Sequence, residues 1–241
     1  MLARPNYLWL GMEITYYGHS CFGIAFGKTS LLIDPFIRSN PAAAHVAVDA
    51  LEPTHILLTH GHADHVEDAE EISLRCGAPI VAGFEVCNWF GALGVEQLMP
   101  MNHGGVVGLG GGDFRVRSVA AVHSSTMPDG AAGGEAMGFV IESGGGSRIY
   151  CAGDTALTME MELIGRHWPV DLAILPIGDC YTMGVADACI AANMVSCKQI
   201  IGCHYDTFPP IEIDRDAATA QFAASGCVLD LLEIGQSISI T

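Results

Sequence analysis

Positive charge is scarce in this chain: 10 lysines and arginines stand against 27 aspartates and glutamates in 241 residues, a formal net charge of −17. A surface of that sign repels polyanions, so nucleic acid is not the expected partner. Charge of either kind is sparse at 15%, and 50% of the residues are hydrophobic, which excludes a disordered or fibrous chain. No stretch approaches the ~18 uninterrupted apolar residues of a membrane-spanning helix. Residues 1–10 hold no apolar core of a signal peptide. The nine cysteines include no Cys-x-x-Cys pair, so neither a disulfide framework nor a zinc knuckle follows. Cys21, Cys151 and Cys203 read as small core residues, and a reducing cytoplasm is the expected setting.

What is present is a rhythm of short β-rich runs and helical stretches, consistent with one domain over residues 1–241. Met12 offers an alternative start, which would make residues 1–11 a dispensable extension. Runs at 14–17, 21–26 and 30–33, punctuated by glycine, predict an antiparallel meander. A strand over 54–59 leads to a helix over 66–75, and 79–82 is a further strand before a helix at 85–93 closed by Gly94. Glycines between Met101 and Asp113 mark turns, 114–122 reads as a strand, and Gly130–Gly134 as a mobile surface loop. Strands at 148–152, 171–177 and 198–203 follow, with helices near 157–166, 185–196 and 213–224 and a β-rich close at 228–240. Mixed sheets between helices, in two αβ-containing halves of similar length, follow from the pattern.

The chemistry concentrates at strand ends. His60-Gly61-His62-Ala63-Asp64-His65 sits at a strand-to-helix junction. Two histidines two residues apart in extended backbone can turn their imidazoles to one side and share a metal. Asp64 and His65 start the helix, where the changed backbone direction can aim them at a second ion. Two ions need further donors, and His123, Asp154 and His204 each follow a predicted strand. His19, in a Gly-His-Ser turn, is a candidate to bind substrate or donate a proton, and the phenol of Tyr181 is a candidate partner for a substrate oxyanion.

In this order, His60, His62, Asp64, His65, His123, Asp154 and His204 resemble the ligand set of the metallo-β-lactamase superfamily. Gly18-His19-Ser20-Cys21-Phe22, His123-Ser124-Ser125, Gly153-Asp154-Thr155, Pro176-Ile177-Gly178 and His204-Tyr205-Asp206-Thr207-Phe208-Pro209 further resemble its branch of metal-dependent hydrolases similar to ascorbate-6-phosphate lactonase. The resemblance implies an α/β (α+β) fold, a four-layer αββα sandwich. It implies one metal held by His60, His62 and His123, a second held by Asp64, His65 and His204, and Asp154 between them. It also implies that Asp34 hydrogen-bonds a ligand histidine, where the residues alone read equally as a turn aspartate before proline.

Zinc is the expected cofactor for such imidazole and carboxylate donors, with manganese, iron and nickel compatible. Two divalent ions would lower the pKa of a water between them from about 15.7 toward about 7 and polarise a carbonyl or phosphoryl oxygen. Asp64 would orient that water or relay its proton. Hydrolysis of a lactone, thioester or phosphoester of a small molecule is the expected activity, in a chain that can form homo-oligomers. The alternatives are an iron-dependent redox enzyme on the same fold and a nuclease, the latter disfavoured because no basic groove can be read from the sequence.

Overall fold

The computed structural model describes residues 11–241; the extension expected at 1–11 lies, apart from Gly11, outside the described residues. Strands β1 (Met12–Gly18), β2 (Cys21–Phe26) and β3 (Thr29–Ile33) form the antiparallel meander, in which Met12, Ile14 and Tyr16 point inward and alternate with Glu13, Thr15 and Tyr17. That period of two is what a sheet with one buried face requires. Parallel strands β4 (His55–Leu57), β5 (Ile80–Gly83) and β6 (Leu98–Met101) follow, with helices α1 (Ala63–Val66), α2 (Ala69–Cys76) and α3 (Phe84–Ala92) between them. All of β5 is buried, as expected of a strand covered on both faces.

The second half repeats the scheme. Strands β7 (Val106–Leu109), β8 (Phe114–Ala120), β9 (Met137–Ser143) and β10 (Arg148–Cys151) are antiparallel, and β11 (Leu172–Pro176), β12 (Gln199–Cys203) and β13 (Val228–Asp230) run parallel to β10. Helices α4 (Glu160–His167), α5 (Val185–Met194) and α6 (Arg215–Ala224) alternate with those parallel strands, and β14 (Ser237–Ile240) returns to pair with β1. The sheet orders are β14-β1-β2-β3-β4-β5-β6 and β13-β12-β11-β10-β9-β8-β7, so each sheet has three antiparallel pairings followed by three parallel ones.

Ile14, Phe22 and Ile33 of the first sheet meet Phe114, Phe139 and Ile174 of the second in one shared core. Ile72 and Phe90 of the helices cover the outer face of the first sheet, and Ile164, Ala191 and Phe222 that of the second. Each such fully buried side chain contributes about 1.5–3 kcal/mol. The order helix, sheet, sheet, helix is the four-layer sandwich that the family resemblance implies. Among the described residues no helix is long and apolar enough to cross a membrane.

Local departures have physical causes. The helix expected over 66–75 is interrupted at Glu67–Asp68, because the Asp68 carboxylate accepts the backbone N–H groups of Ile37 (2.6 Å) and Arg38 (3.1 Å). Strand β7 occupies part of the stretch read as turns between Met101 and Asp113, and β9 has no counterpart in the sequence reading. Strand β8 ends at Ala120, so His123 lies in a loop three residues beyond it. The glycine-rich segment at 130–134 is a hydrogen-bonded excursion: Gly133 N–H donates to Ser125 O at 2.9 Å, and Thr126 and Ala132 form an isolated bridge.

Candidate metal centre

All the candidate donors project from one edge of the sandwich, where strands end. Beyond β4, the Leu58 N–H donates to Val81 O (3.0 Å) and Thr59 O accepts from Met137 N–H (3.0 Å), which fixes His60 between the two sheets. His62 takes the extended N-cap position of α1, and Asp64 and His65 fall within α1, so the backbone does change direction inside the histidine run. The Val122 N–H donates to Thr155 Oγ1 at 3.0 Å, tying the His123 loop to that of Asp154.

Three of the residues adopt left-handed backbone without being glycine: His19 (φ 54°), Asp34 (φ 44°) and His204 (φ 54°). Each costs of order 1 kcal/mol and persists because its surroundings over-determine it. His204 N–H donates to His19 O at 2.9 Å, joining the β1–β2 turn of one sheet to the end of β12 in the other. Gly178 permits this approach, since a Cβ there would stand 2.1 Å from His204 O.

The side chains converge into three overlapping groups whose donor atoms lie within 4.8 Å of one another: His60, His62 and His123; His60, His65 and Asp154; and His19, Asp64, His65 and His204. At the centre, Asp154 Oδ2 is 3.0 Å from His204 Nε2, 3.3 Å from His65 Nε2, 3.5 Å from His123 Nε2 and 4.0 Å from His60 Nε2. One carboxylate oxygen therefore faces imidazoles of both proposed sets.

Asp34 sets two tautomers. Its carboxylate accepts Thr59 N–H (2.8 Å), the Thr59 hydroxyl (2.6 Å) and His65 Nδ1–H (2.9 Å). With its proton committed to Asp34, the Thr59 oxygen accepts His60 Nδ1–H at 3.0 Å. In their neutral forms both histidines then turn a bare Nε2 toward the cluster, the tautomer a metal ligand needs. Asp34 is thus both the left-handed residue of a turn and the partner of His65.

The charges fit a cation. His65 Nε2 and Asp154 Oδ1 are buried with no hydrogen-bond partner, an expensive state for a protein interior and one that coordination would relieve. Burial tends to raise the Asp154 pKa, but the imidazoles of His65 and His204 outweigh it and hold the carboxyl well below its usual range. Burial tends to lower His65, yet the carboxylates of Asp154 and Asp34 prevail and hold it well above the ordinary histidine value. A cation held by His65 would compete with its protonation, so binding would release a proton and leave the neutral tautomer that Asp34 favours. Burial, the largest influence on His60, drives that imidazole well below its usual value toward the neutral form a ligand requires.

His19 is almost wholly enclosed. Its Nε2 lies 3.2 Å from Asp64 Oδ2 and its Nδ1 2.9 Å from Thr207 Oγ1, and its ring packs edge-on against both Phe36 and Phe208. Burial pushes its pKa down to about 4. Tyr181 stands apart, 55% exposed on the loop after β11 and outside all three donor groups. That loop shares the same edge, because Met183 N–H donates to Thr155 O at 3.0 Å. Residues that the sequence reading gave no individual role complete the frame: Thr59, Thr207, Ser124 (Oγ 3.3 Å from His62 Nε2) and Ser125, whose Oγ accepts Gly61 N–H at 3.1 Å. The two serines and Thr207 lie inside the motifs that carry the family resemblance, and Thr59 directly precedes His60, so position beside a ligand was their one available signal.

Known proteins resemble this chain in sequence and fold. The sequence profile of the Beta-lactamase superfamily domain matches residues 29–205. A UPF0173 metal-dependent hydrolase of Christiangramia forsetii is 48% identical over 233 residues, 95% of this chain and 100% of that relative. One from Methylacidiphilum infernorum is 45% identical over 228 residues, 94% of this chain and 99% of the relative. Among solved structures, Igni18, a metallo hydrolase of the archaeon Ignicoccus hospitalis, superposes with a TM-score of 0.86 at 31% identity, covering 95% of this chain and 98% of that one. With fold, strand-end donors and near full-length similarity in agreement, the chain belongs to the UPF0173 metal-dependent hydrolases of the metallo-β-lactamase superfamily.

Proposed function

We propose that this hydrolase works with two divalent cations on an ester-like bond, a lactone, thioester or phosphoester of a small molecule. The observation that carries the two-cation reading is Asp154 Oδ2, which lies within 4.0 Å of the Nε2 atoms of His60, His65, His123 and His204. His60, His62 and His123 would hold one cation, Asp64, His65 and His204 the other, and Asp154 would contact both. Zinc suits this donor set first, with manganese, iron and nickel compatible. The bound pair would supply Lewis acidity and a water of lowered pKa.

The chain's own residues would do the rest. Asp34 and Thr59 keep His60 and His65 in the ligand tautomer. Asp64, whose side chain is 28% exposed, faces both the cluster and solvent; it would orient the attacking water and take its proton. His19 has both ring nitrogens engaged, by Thr207 and Asp64, which favours a role in steering Asp64 over direct contact with substrate. Tyr181 would meet a substrate oxygen at the rim. The acidic surface supports a small-molecule substrate over nucleic acid, and the nine free cysteines support a cytoplasmic setting.

Metal analysis of the purified protein, with hydrolysis assays on lactones, thioesters, phosphodiesters and β-lactams, tests the proposal. Two equivalents of metal and turnover of an ester-like substrate are expected, with both diminished in His62→Ala and Asp154→Asn. Two equivalents retained by Asp154→Asn at unchanged affinity would refute the central place given to that carboxylate.

A further inference from the structure

Beside the donor cluster lies a cavity of about 460 Å³ walled by Phe36, Ala63, Trp89, Phe90 and Pro128. Its volume falls in the range of roughly 300–1,000 Å³ typical of small-molecule sites. Ala63, Phe36 and Pro128 lie on or beside segments that hold the donors, and α3 supplies Trp89 and Phe90. Ala63 stands between His62 and Asp64 in the chain. The Phe36 ring is 5.6 Å from that of His19. Pro128 adjoins Met127, whose sulfur packs so closely on Gly61 that a Cβ there would lie 2.4 Å from it. The Trp89 indole N–H donates to Asp129 at 2.9 Å, which fixes the aromatic wall against the Pro128 loop.

The chemistry of the lining is selective. No lysine or arginine contributes to it, while Glu67 and Glu70 are part of it. A phosphate or carboxylate entering the cavity would lose hydration and meet two carboxylates with no cation in return. An apolar chain or ring loses nothing polar and gains the burial of its surface.

We infer that this cavity receives the uncharged, apolar acyl or aryl end of the substrate while the scissile bond lies at the donor cluster. The inference rests on the hydrolase proposal above and narrows it to carboxylic esters and thioesters with apolar acyl groups, at the expense of phosphorylated substrates.

Two measurements test it separately from that proposal. With the metal-loaded protein, kcat/KM for p-nitrophenyl acetate, butyrate and hexanoate is expected to rise by roughly fourfold per buried methylene, and to exceed the value for bis-p-nitrophenyl phosphate. The neutral probe N-phenyl-1-naphthylamine has no ester to cleave and is expected to brighten on binding and to quench tryptophan emission. Trp89→Ala should flatten the chain-length series and abolish the quenching, while Trp89→Phe, which keeps an aromatic wall, should preserve the series and probe brightening. Thermal melts of both variants distinguish a lost wall from a lost fold.

A flat series, a preference for the phosphodiester, or probe binding indifferent to Trp89→Ala in folded protein would overturn the inference, and ester hydrolysis would still support the two-metal proposal. Trp89-dependent probe binding with no turnover of any ester would do the reverse: it would support the apolar site and count against the hydrolytic proposal.

Discussion

Replacing Asp34 by asparagine should separate the two proposed metal subsites. The aspartate receives three donors on two oxygens: Thr59 N–H on Oδ1, and the Thr59 hydroxyl together with His65 Nδ1–H on Oδ2. Asparagine can keep only one oxygen as acceptor. If that oxygen serves Thr59 N–H, the new NH2 group faces His65 Nδ1, and the imidazole can accept from it only by moving its proton to Nε2. The ligand nitrogen is then capped. If the amide is turned the other way, NH2 meets the Thr59 N–H and a buried donor is left unpaired, at about 1–3 kcal/mol. The first arrangement leaves fewer donors unpaired, and in it the proposed Asp64, His65 and His204 subsite is impaired more than that of His60, His62 and His123, because His65 must change tautomer whereas the Thr59 oxygen can still accept His60 Nδ1–H. Loss of such an orienting partner typically costs roughly 10–100-fold in metal affinity.

The assay is competition of apo protein against a chromophoric zinc chelator, which yields two binding constants and their stoichiometry. Long-range 15N–1H spectra of the histidine rings then report the His65 tautomer. Asp34→Asn is expected to retain one tight site and weaken the other by that factor, with the His65 proton moved to Nε2. Two unchanged constants, or equal weakening of both with the native tautomer intact, would refute the tautomer argument.

Further outcomes follow from the same geometry. Gly178→Ala would drive a Cβ to within 2.1 Å of His204 O and 2.9 Å of Ile211 Cβ, and strain of this kind costs about 1–3 kcal/mol; a lowered Tm and weaker metal binding are expected, and an unchanged melt would show that the approach is not tight in solution. Stripping metal with a chelator should lower Tm, and restoring zinc at about 1,000 times its Kd should return about 4.1 kcal/mol of stability; a melt indifferent to zinc would count against binding to the folded chain. A bulky maleimide should label exposed Cys180 first and leave Cys21, Cys151 and Cys203 unmodified until denaturant is added, because burial both hides these thiols and pushes their pKa up, that of Cys151 to about 12. Mass spectrometry of the labelled peptides decides this.

Much of the fold was legible because its signals are local. A β-rich run punctuated by glycine identifies β1, and the histidine run at the end of a β-branched stretch locates the site's edge. Legibility failed where structure depends on distant partners. Strand β9 is buried at six of its seven positions and shows no alternation, and its Gly138 lies so close to the next strand that a Cβ would meet Ala152 O at 2.7 Å. The break between α1 and α2 depends on Asp68 capturing backbone groups some thirty residues upstream, which no helical propensity encodes. The site divides in the same way. Seven donors could be named from strand ends, whereas the enclosure of His19 depends on Thr207 from the other end of the chain, and the function of Thr59 on the Asp34 carboxylate reached across the β3–β4 pairing.

The hydrogen bond from His204 to the carbonyl of His19 marks a seam. His60, His62, Asp64 and His65 follow a strand of the first sheet, and His123, Asp154 and His204 follow strands of the second. Neither half of the chain contains a complete subsite. The connection between β6 and β7 spans only residues 102–105, so a single cut there would part the donors into two incomplete fragments. Activity would return only on their reassociation, with β14 of the second fragment closing the sheet of the first. Chelation by the proposed ligand sets would act as a rivet through two plates, and sliding one plate against the other would open both proposed cation sites in a single movement.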